Sequence, residues 1–387
     1  MYTLLISIIY LAFISLGLPD SLLGSAWPVM HTDIGVPLSY MGIISTVISI
    51  GTIVSSLLSD KLTRKFNTET VTVVSVFMTA FALLGFSFSS NLLMLIAFAI
   101  PYGLGAGAID AALNNYVALH YSSRHMSWLH CFWGVGTIVS PFVMSYSLTN
   151  SNWNNGYRII SIIQLTIGLI LLLSLRLWKT NKSQTIQEEN SSNSISIKAA
   201  LKIKGVPQLL IAFFGYCAAE ATAMGWSCTY LVEAKGMEEE FAAAYASLFF
   251  IGMTAGRFFG GFLMDKLGDK KMINLGSVVI LLGIALMIIP IENEVLALVG
   301  LVIIGLGCAP IYPCIIHSTP YNFGEENSGS IIGIQMASAY LGTTVIPPIF
   351  GFLGKGIGFD IFPIYILIFV ILMSLMIEIT FQATQKQ

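Results

Sequence analysis

The chain has 387 residues, 56% of them hydrophobic and only 10% charged, against roughly 25% charged in an ordinary soluble domain. That balance excludes a fold solvated mainly by water, and the net charge of -2 carries no signal for nucleic acid. Cys131, Cys217, Cys228, Cys308 and Cys314 fall in apolar segments with no CxxC pair or His cluster, so they read as small core residues and no metal site is predicted.

In chain order, the first apolar run begins at Met1 without a basic n-region or a small-residue cleavage site. It reads as a retained membrane span rather than a signal peptide. Further spans are predicted near 38–60, 69–89, 91–119, 127–149 and 156–178, after the first at 3–28. Six more follow near 206–232, 239–264, 272–291, 294–318, 328–352 and 360–383, many of them near the ~20 residues needed to cross a hydrocarbon core. The predicted fold class is an all-α membrane protein with twelve transmembrane helices in two six-helix, pseudo-symmetric bundles. The bundles are 1–179 and 205–387, joined by a polar, Ser- and Asn-rich linker over 180–204 that is too poor in apolar surface to fold alone. With the N-terminus inside, fourteen of the eighteen Lys and Arg fall on one side, which fits the positive-inside rule and places both termini in the cytoplasm.

The halves share a local pattern. SLLSDKLTRK over 56–65 and GFLMDKLGDKK over 261–271 align Asp60 with Asp265 and Lys61 with Lys266. The pattern G-x-x-x-D-K-x-G-x-K-K at 261–271 resembles the loop signature of the major facilitator superfamily, with a degenerate copy at 56–65 where Ser56 and Thr63 replace the two glycines. The resemblance covers essentially the whole chain. It implies a two-lobed helical transporter that works by alternating access with substrate near the bilayer midplane. It also implies a gating role for Asp60, Lys61, Arg64, Asp265 and Lys266. Arg257, about two turns before Asp265 on the same helix, is expected to join that network or to pair with an acid inside the bilayer.

A carboxylate inside the bilayer costs several kcal/mol and faces a cavity or a partner. Asp20, Asp110 and Glu220 lie in spans one, four and seven, and the family resemblance implies that spans one, four, seven and ten line the central cavity. Asn114 follows Asp110 at i+4, on the same helix face, with Asn115 beside it. LPDSLL in span one and DAALNN in span four resemble the fucose permease branch and its sodium-linked glucose transporter relatives, and YCAAEATAMGW in span seven is similar to the latter. In that branch the two acids serve sugar binding and proton coupling, roles that by resemblance fall on Asp20 and Asp110. The chain departs from the permease at Gly17, where the permease has polar residues, so the particular sugar does not carry over.

Trp226, Tyr312, Gln335 and Tyr340, on spans seven, ten and eleven, and His130, on span five, complete the candidate substrate and coupling set. GVGTIVSP at 134–141, GLGCAPIYP at 305–313 and Pro347–Pro348 are candidate bending points. The expected activity is secondary active transport, as a proton- or sodium-coupled symporter of a monosaccharide or similar polyol. The alternative on the same fold is export of drugs or another metabolite. No cofactor beyond the coupling ion is expected, and the partners expected are the lipid bilayer and a small-molecule substrate, with the chain acting as a monomer in the cell membrane. An enzyme is disfavoured, because the sequence has no nucleophile with its base, no metal cluster and no soluble catalytic domain.

Overall fold

A computed structural model describes residues 2–179, 194–289 and 294–384. Most of the expected linker, 180–193, lies outside the described residues, as do Lys182 and Lys386 among the predicted inside charges. All regular elements among the described residues are helices. Eleven of them, or pairs of them, are long and apolar enough to cross a membrane. The remaining expected span, 239–264, falls on a 29-residue helix, Glu239–Leu267.

The chain divides into two compact units, residues 1–116 with 129–195 and residues 117–128 with 196–387. The bundles expected at 1–179 and 205–387 thus exchange one short piece, because 117–128 groups with the second unit. The first unit holds α1 (Tyr2–Asp20), α2 (Leu22–Asp33), α3 (Met41–Phe66), α4 (Thr68–Phe88), the body of α5 (Leu92–His120), most of α6 (Ser123–Asn150), α7 (Trp153–Leu173) and the short α8 (Leu175–Lys179). The second holds the short α9 (Ile197–Ala200), α10 (Val206–Glu233), α11 (Glu239–Leu267), α12 (Asp269–Ile288), α13 (Glu294–Cys308), α14 (Ile311–His317), α15 (Thr319–Phe323), α16 (Glu325–Ile357) and α17 (Phe362–Thr384). In the first unit α4 packs on α7; in the second α10 packs on α16 and α17, and α13 on α11 and α12.

The duplicated loop motif accounts for a difference in helix length. At Gly268 the chain turns with φ of 78°, a left-handed conformation that glycine adopts without steric cost, and α11 ends there. The aligned position in the first copy is Thr63, which stays helical, so α3 runs on to Phe66. The turn then falls to Asn67 at φ 64° and ψ 155°, a backbone conformation that costs a non-glycine residue strain.

Prolines create two local needs that side chains meet. A proline inside a helix cannot donate to the carbonyl four residues earlier. Pro19 so frees the carbonyl of Ser15, which accepts from Gln164 Nε2 at 2.7 Å. Pro141 frees that of Thr137, which accepts from Ser21 Oγ at 2.7 Å. Polar side chains of neighbouring helices are how a membrane helix keeps a kink satisfied. The expected first span is therefore two helices, interrupted at Ser21, and the expected tenth span is interrupted at Ala309–Pro310 between α13 and α14. The carbonyl of Cys308, the last residue of α13, lies 2.9 Å from the Tyr216 hydroxyl oxygen. By contrast α16 runs as one helix through Pro347 and Pro348, and α6 through Pro141.

Candidate substrate and coupling sites

Asp20 is the last residue of α1, at the interruption of the first span. Close approach of α1 and α6 positions it. A Cβ on Gly17 would lie 2.1 Å from the Trp133 carbonyl oxygen, and one on Gly136 2.3 Å from that of Ile14, so only glycine lets these backbones meet. Gly17, the departure from the permease pattern, is thus a packing requirement of this chain. The crossing brings Trp133 Nε1–H to Asp20 Oδ2 at 2.8 Å, while the Tyr102 hydroxyl of α5 donates to Oδ1 at 3.2 Å. Asp20 stays exposed. Each carboxylate oxygen can accept about two hydrogen bonds, so one donor apiece leaves acceptor capacity for a ligand.

Asp110 sits differently. The GLGAGA run packs α5 onto α3 and α4: Cβ atoms on Gly103 and Gly107 would lie 2.2 and 2.1 Å from the carbonyls of Ile48 and Thr52, and one on Gly105 would lie 2.8 Å from that of Ser75. One turn on, Asn114 Nδ2 donates to Asp110 Oδ1 at 2.8 Å and to its backbone carbonyl at 2.9 Å. With the amide held in this sense, Asn114 Oδ1 faces His130 Nε2 at 3.1 Å and can only accept, so the proton of the ring lies on Nε2. Exposures of 5%, 0% and 6% for Asp110, Asn114 and His130 set this line apart from Asp20. His130 also packs edge-on against Phe13, with centroids 5.4 Å apart. Asn115 is half-buried, one position and about 100° further round the helix.

In the second unit Glu220 of α10 pairs with Arg257 of α11, Nη2 to Oε1 at 3.2 Å, and accepts from the Tyr216 hydroxyl at 2.8 Å. Both charged groups are buried, and the Arg257 carbonyl accepts from Ser127 Oγ at 2.7 Å. Tyr312 packs on Phe213 and Tyr216, with centroids 4.8 and 6.2 Å away. Gln335 is fully buried and accepts from Thr319 Oγ1 at 2.9 Å, while its Nε2 has no partner among the described residues. Tyr340 is half-buried. Trp226 keeps other company. Six residues beyond Glu220, it points about 120° away round the helix, donates to the Pro347 carbonyl at 2.8 Å and stacks on Phe359. With Glu233, Lys355 and Asp360 it borders an open cavity of about 580 Å³.

The expected gating residues separate as well. Asp60 pairs with Arg64 of its own helix at 2.9 Å, and Lys61 and Lys266 are exposed. Asp265 receives Arg124 Nη2 at 2.6 Å and the Arg124 backbone N–H at 3.3 Å, a bond to the first turn of α6. Arg257 is committed to Glu220. Tyr102 and Trp133 escape sequence reasoning, because nothing local marks an aromatic residue as the partner of a distant acid, whereas Tyr216 stands four residues before Glu220 on the same helix face, a spacing the sequence does show, and lies outside the candidate set. His317, outside the candidate set, is bonded to Asp269 at 2.7 Å.

A family model described as Major Facilitator Superfamily matches residues 9–347 and 209–386. An uncharacterised MFS-type transporter of Yersinia pestis is 24% identical over 354 residues, 89% of this chain and 88% of its own length. The glucose/mannose transporter of Bacillus subtilis is 23% identical over 263 residues, 66% of this chain and 65% of its own length. Among solved structures, a variant of the fucose:proton symporter of Escherichia coli superposes with a TM-score of 0.75 at 18% identity, covering 97% of this chain and 98% of that one.

Proposed function

The chain belongs to the Major Facilitator Superfamily and is a multi-pass membrane transporter rather than an enzyme, and from that premise we propose that it carries a monosaccharide or similar small polyol by cation-coupled symport and alternating access. The observation that carries this reading is Asp20. It is an exposed carboxylate whose two oxygens are each steadied by an aromatic donor, Trp133 and Tyr102. Carboxylate acceptors read sugar hydroxyls, and aromatic faces cover the C–H faces of a sugar ring. The names of the Bacillus subtilis and Escherichia coli proteins support the same class of cargo.

Under this reading Asp110, with Asn114 and His130, takes and releases the coupling ion away from the hydroxyl-binding carboxylate. The ion is a proton, with sodium the alternative that an acid and its neighbouring amides also suit. Both termini lie in the cytoplasm, as the distribution of basic residues supports.

The test is uptake of labelled hexoses, pentoses and 6-deoxy sugars into proteoliposomes under an imposed proton or sodium gradient. Gradient-dependent accumulation of at least one sugar is expected, and Asp20→Asn is expected to abolish both its binding and its uptake. Extrusion of a hydrophobic cation with no sugar moved or bound would overturn the reading in favour of an exporter.

A further inference from the structure

Residues 117–128 join α5 to α6, whose bodies lie in the first unit, yet they pack as part of the second. The piece is a strap, and its fastening is chemically specific. Ser123 Oγ–H donates to Asp269 Oδ1 at 2.6 Å, and the same oxygen lies 2.9 Å from His317 Nδ1. His317 Nδ1 meets Asp269 Oδ2 at 2.7 Å, and His317 Nε2 meets the Tyr121 carbonyl oxygen at 3.0 Å. Two residues of the strap, Tyr121 and Ser123, are thereby tied to one His–Asp pair built from the end of α14 and the start of α12.

Proton counting follows from those contacts. A backbone carbonyl only accepts, so Nε2 carries a hydrogen toward Tyr121. At 2.7 Å a hydrogen also lies between Nδ1 and Oδ2, whichever of the two holds it, since a ring lone pair facing a carboxylate lone pair is repulsive. The pair therefore holds one proton more than a carboxylate beside a neutral imidazole. With that proton gone, the strap's hold on the pair weakens. Either Ser123 turns its hydroxyl to Nδ1 and deserts Asp269, or the ring moves its remaining hydrogen to Nδ1 and repels Tyr121.

We propose that His317 and Asp269 form a proton-dependent latch that holds the 117–128 strap on the second unit, engaged when that face is acidic and released when it is alkaline. Histidine is the side chain suited to such a change between about pH 5 and 8. The side chains of His317 and Asp269 are 21% and 16% exposed, so the proton has a route to water. The other groups facing the pair are accounted for. Asp265 acts on the ring and is matched by Arg124. The Cys314 thiol bonds to Asp269, and Lys270 is engaged by Glu378 at 3.3 Å. On the strap itself, His125 faces Asp265 and Arg124 and is the second residue that could titrate there. On the face assigned to the cytoplasm, acid would hold the strap, which in a proton-driven importer acts as a brake that an over-acidified interior applies to further entry.

The latch rests on the transporter reading but not on sugar as cargo, so its test uses the full-length protein in nanodiscs without substrate. Hydrogen exchange of peptides within 117–128 is measured near pH 6 and pH 8 and corrected for the intrinsic rate. In the wild type, protection is expected to fall roughly tenfold toward the alkaline end, the scale of losing one charge-assisted hydrogen bond. In His317→Gln it is expected to be low at both, and His125→Gln is expected to behave as wild type. Corrected protection that ignores pH in the wild type, or a response that persists in His317→Gln or vanishes in His125→Gln, overturns the latch. Should His317→Gln not fold, imidazole ¹⁵N spectra of the wild-type protein decide. One ring with both nitrogens protonated near neutral pH is expected, and five neutral rings overturn the proposal. Sugar uptake could fail with the latch intact, or succeed with it absent, so the two failures are distinguishable.

Discussion

Asp110 in the first unit and Glu220 in the second meet the same difficulty, a carboxylate buried inside a membrane helix, and meet it with different chemistry. In both cases the tie runs to the next span along the chain, from α5 to α6 and from α10 to α11. Glu220 faces a guanidinium at 3.2 Å and a phenol at 2.8 Å. Asp110 faces the amide of Asn114 at 2.8 Å, which passes the contact on to the imidazole of His130 at 3.1 Å. A charged partner makes a buried acid expensive to disturb, since removing either ion strands the other. An amide carries both donors and an acceptor, so it can serve a protonated or an ionised acid alike. On the proposed reading the second unit's acid is fixed architecture and the first unit's is the one whose charge changes.

The largest effect expected is therefore in the second unit. Arg257→Ala leaves Glu220 buried beside only the Tyr216 hydroxyl, and a loss of about 3–5 kcal/mol is expected, read from an SDS-unfolding titration of the purified protein. The double variant Glu220→Gln with Arg257→Met removes both charges and is expected to recover most of that loss, a coupling that a double-mutant cycle measures directly. A cost for Arg257→Ala below about 1 kcal/mol would show that the ion pair does not hold α10 to α11 and would erase the contrast.

How much of this contrast is legible in sequence depends on the range of the interaction. The acids announce themselves, because charge in an apolar run is expensive wherever it stands. Asn114 is equally legible, since i+4 places it on the Asp110 face by helix geometry alone. The duplicated motif and the span pattern also follow from composition and period. The partners of Asp20 do not, because Tyr102 and Trp133 lie 82 and 113 residues away in sequence, and Trp133 reaches it only once Gly17 and Gly136 let α1 and α6 cross. Nor does the separation of Trp226 from Glu220 show until helix phase is tracked over six residues. The grouping of 117–128 with the second unit is invisible to span counting, which assigns residues by connectivity rather than by what they touch.

A smaller effect is expected at the amide of the first unit. Asn114→Ala removes the two donors to Asp110 and the acceptor of His130 Nε2 while both neighbours stay buried. Losing these bonds in a buried setting is expected to cost about 1–3 kcal/mol, again read by SDS unfolding. The variant is also expected to change the His130 tautomer balance, visible in imidazole ¹⁵N shifts, because the acceptor that now fixes the hydrogen on Nε2 is gone. An unchanged His130 spectrum would mean that the imidazole is held by its other contacts and that the amide does not connect it to Asp110.

The smallest cost in stability, with the largest consequence for transport, is expected for Asp110→Asn. The substituted amide keeps the size of the acid and presents an oxygen that can still accept from Asn114, so the change is expected to cost no more than about 1 kcal/mol. The matching change Glu220→Gln strands the Arg257 cation and is expected to cost several-fold more on the same titration. In proteoliposomes Asp110→Asn is expected to retain sugar counterflow, which needs only binding and reorientation, and to lose accumulation above equilibrium, which needs a charge that changes. Equal destabilisation by the two substitutions would show that the Asp110 charge is compensated as firmly as that of Glu220. The first unit's acid would then be architecture too, and coupling would have to be sought at Asp20.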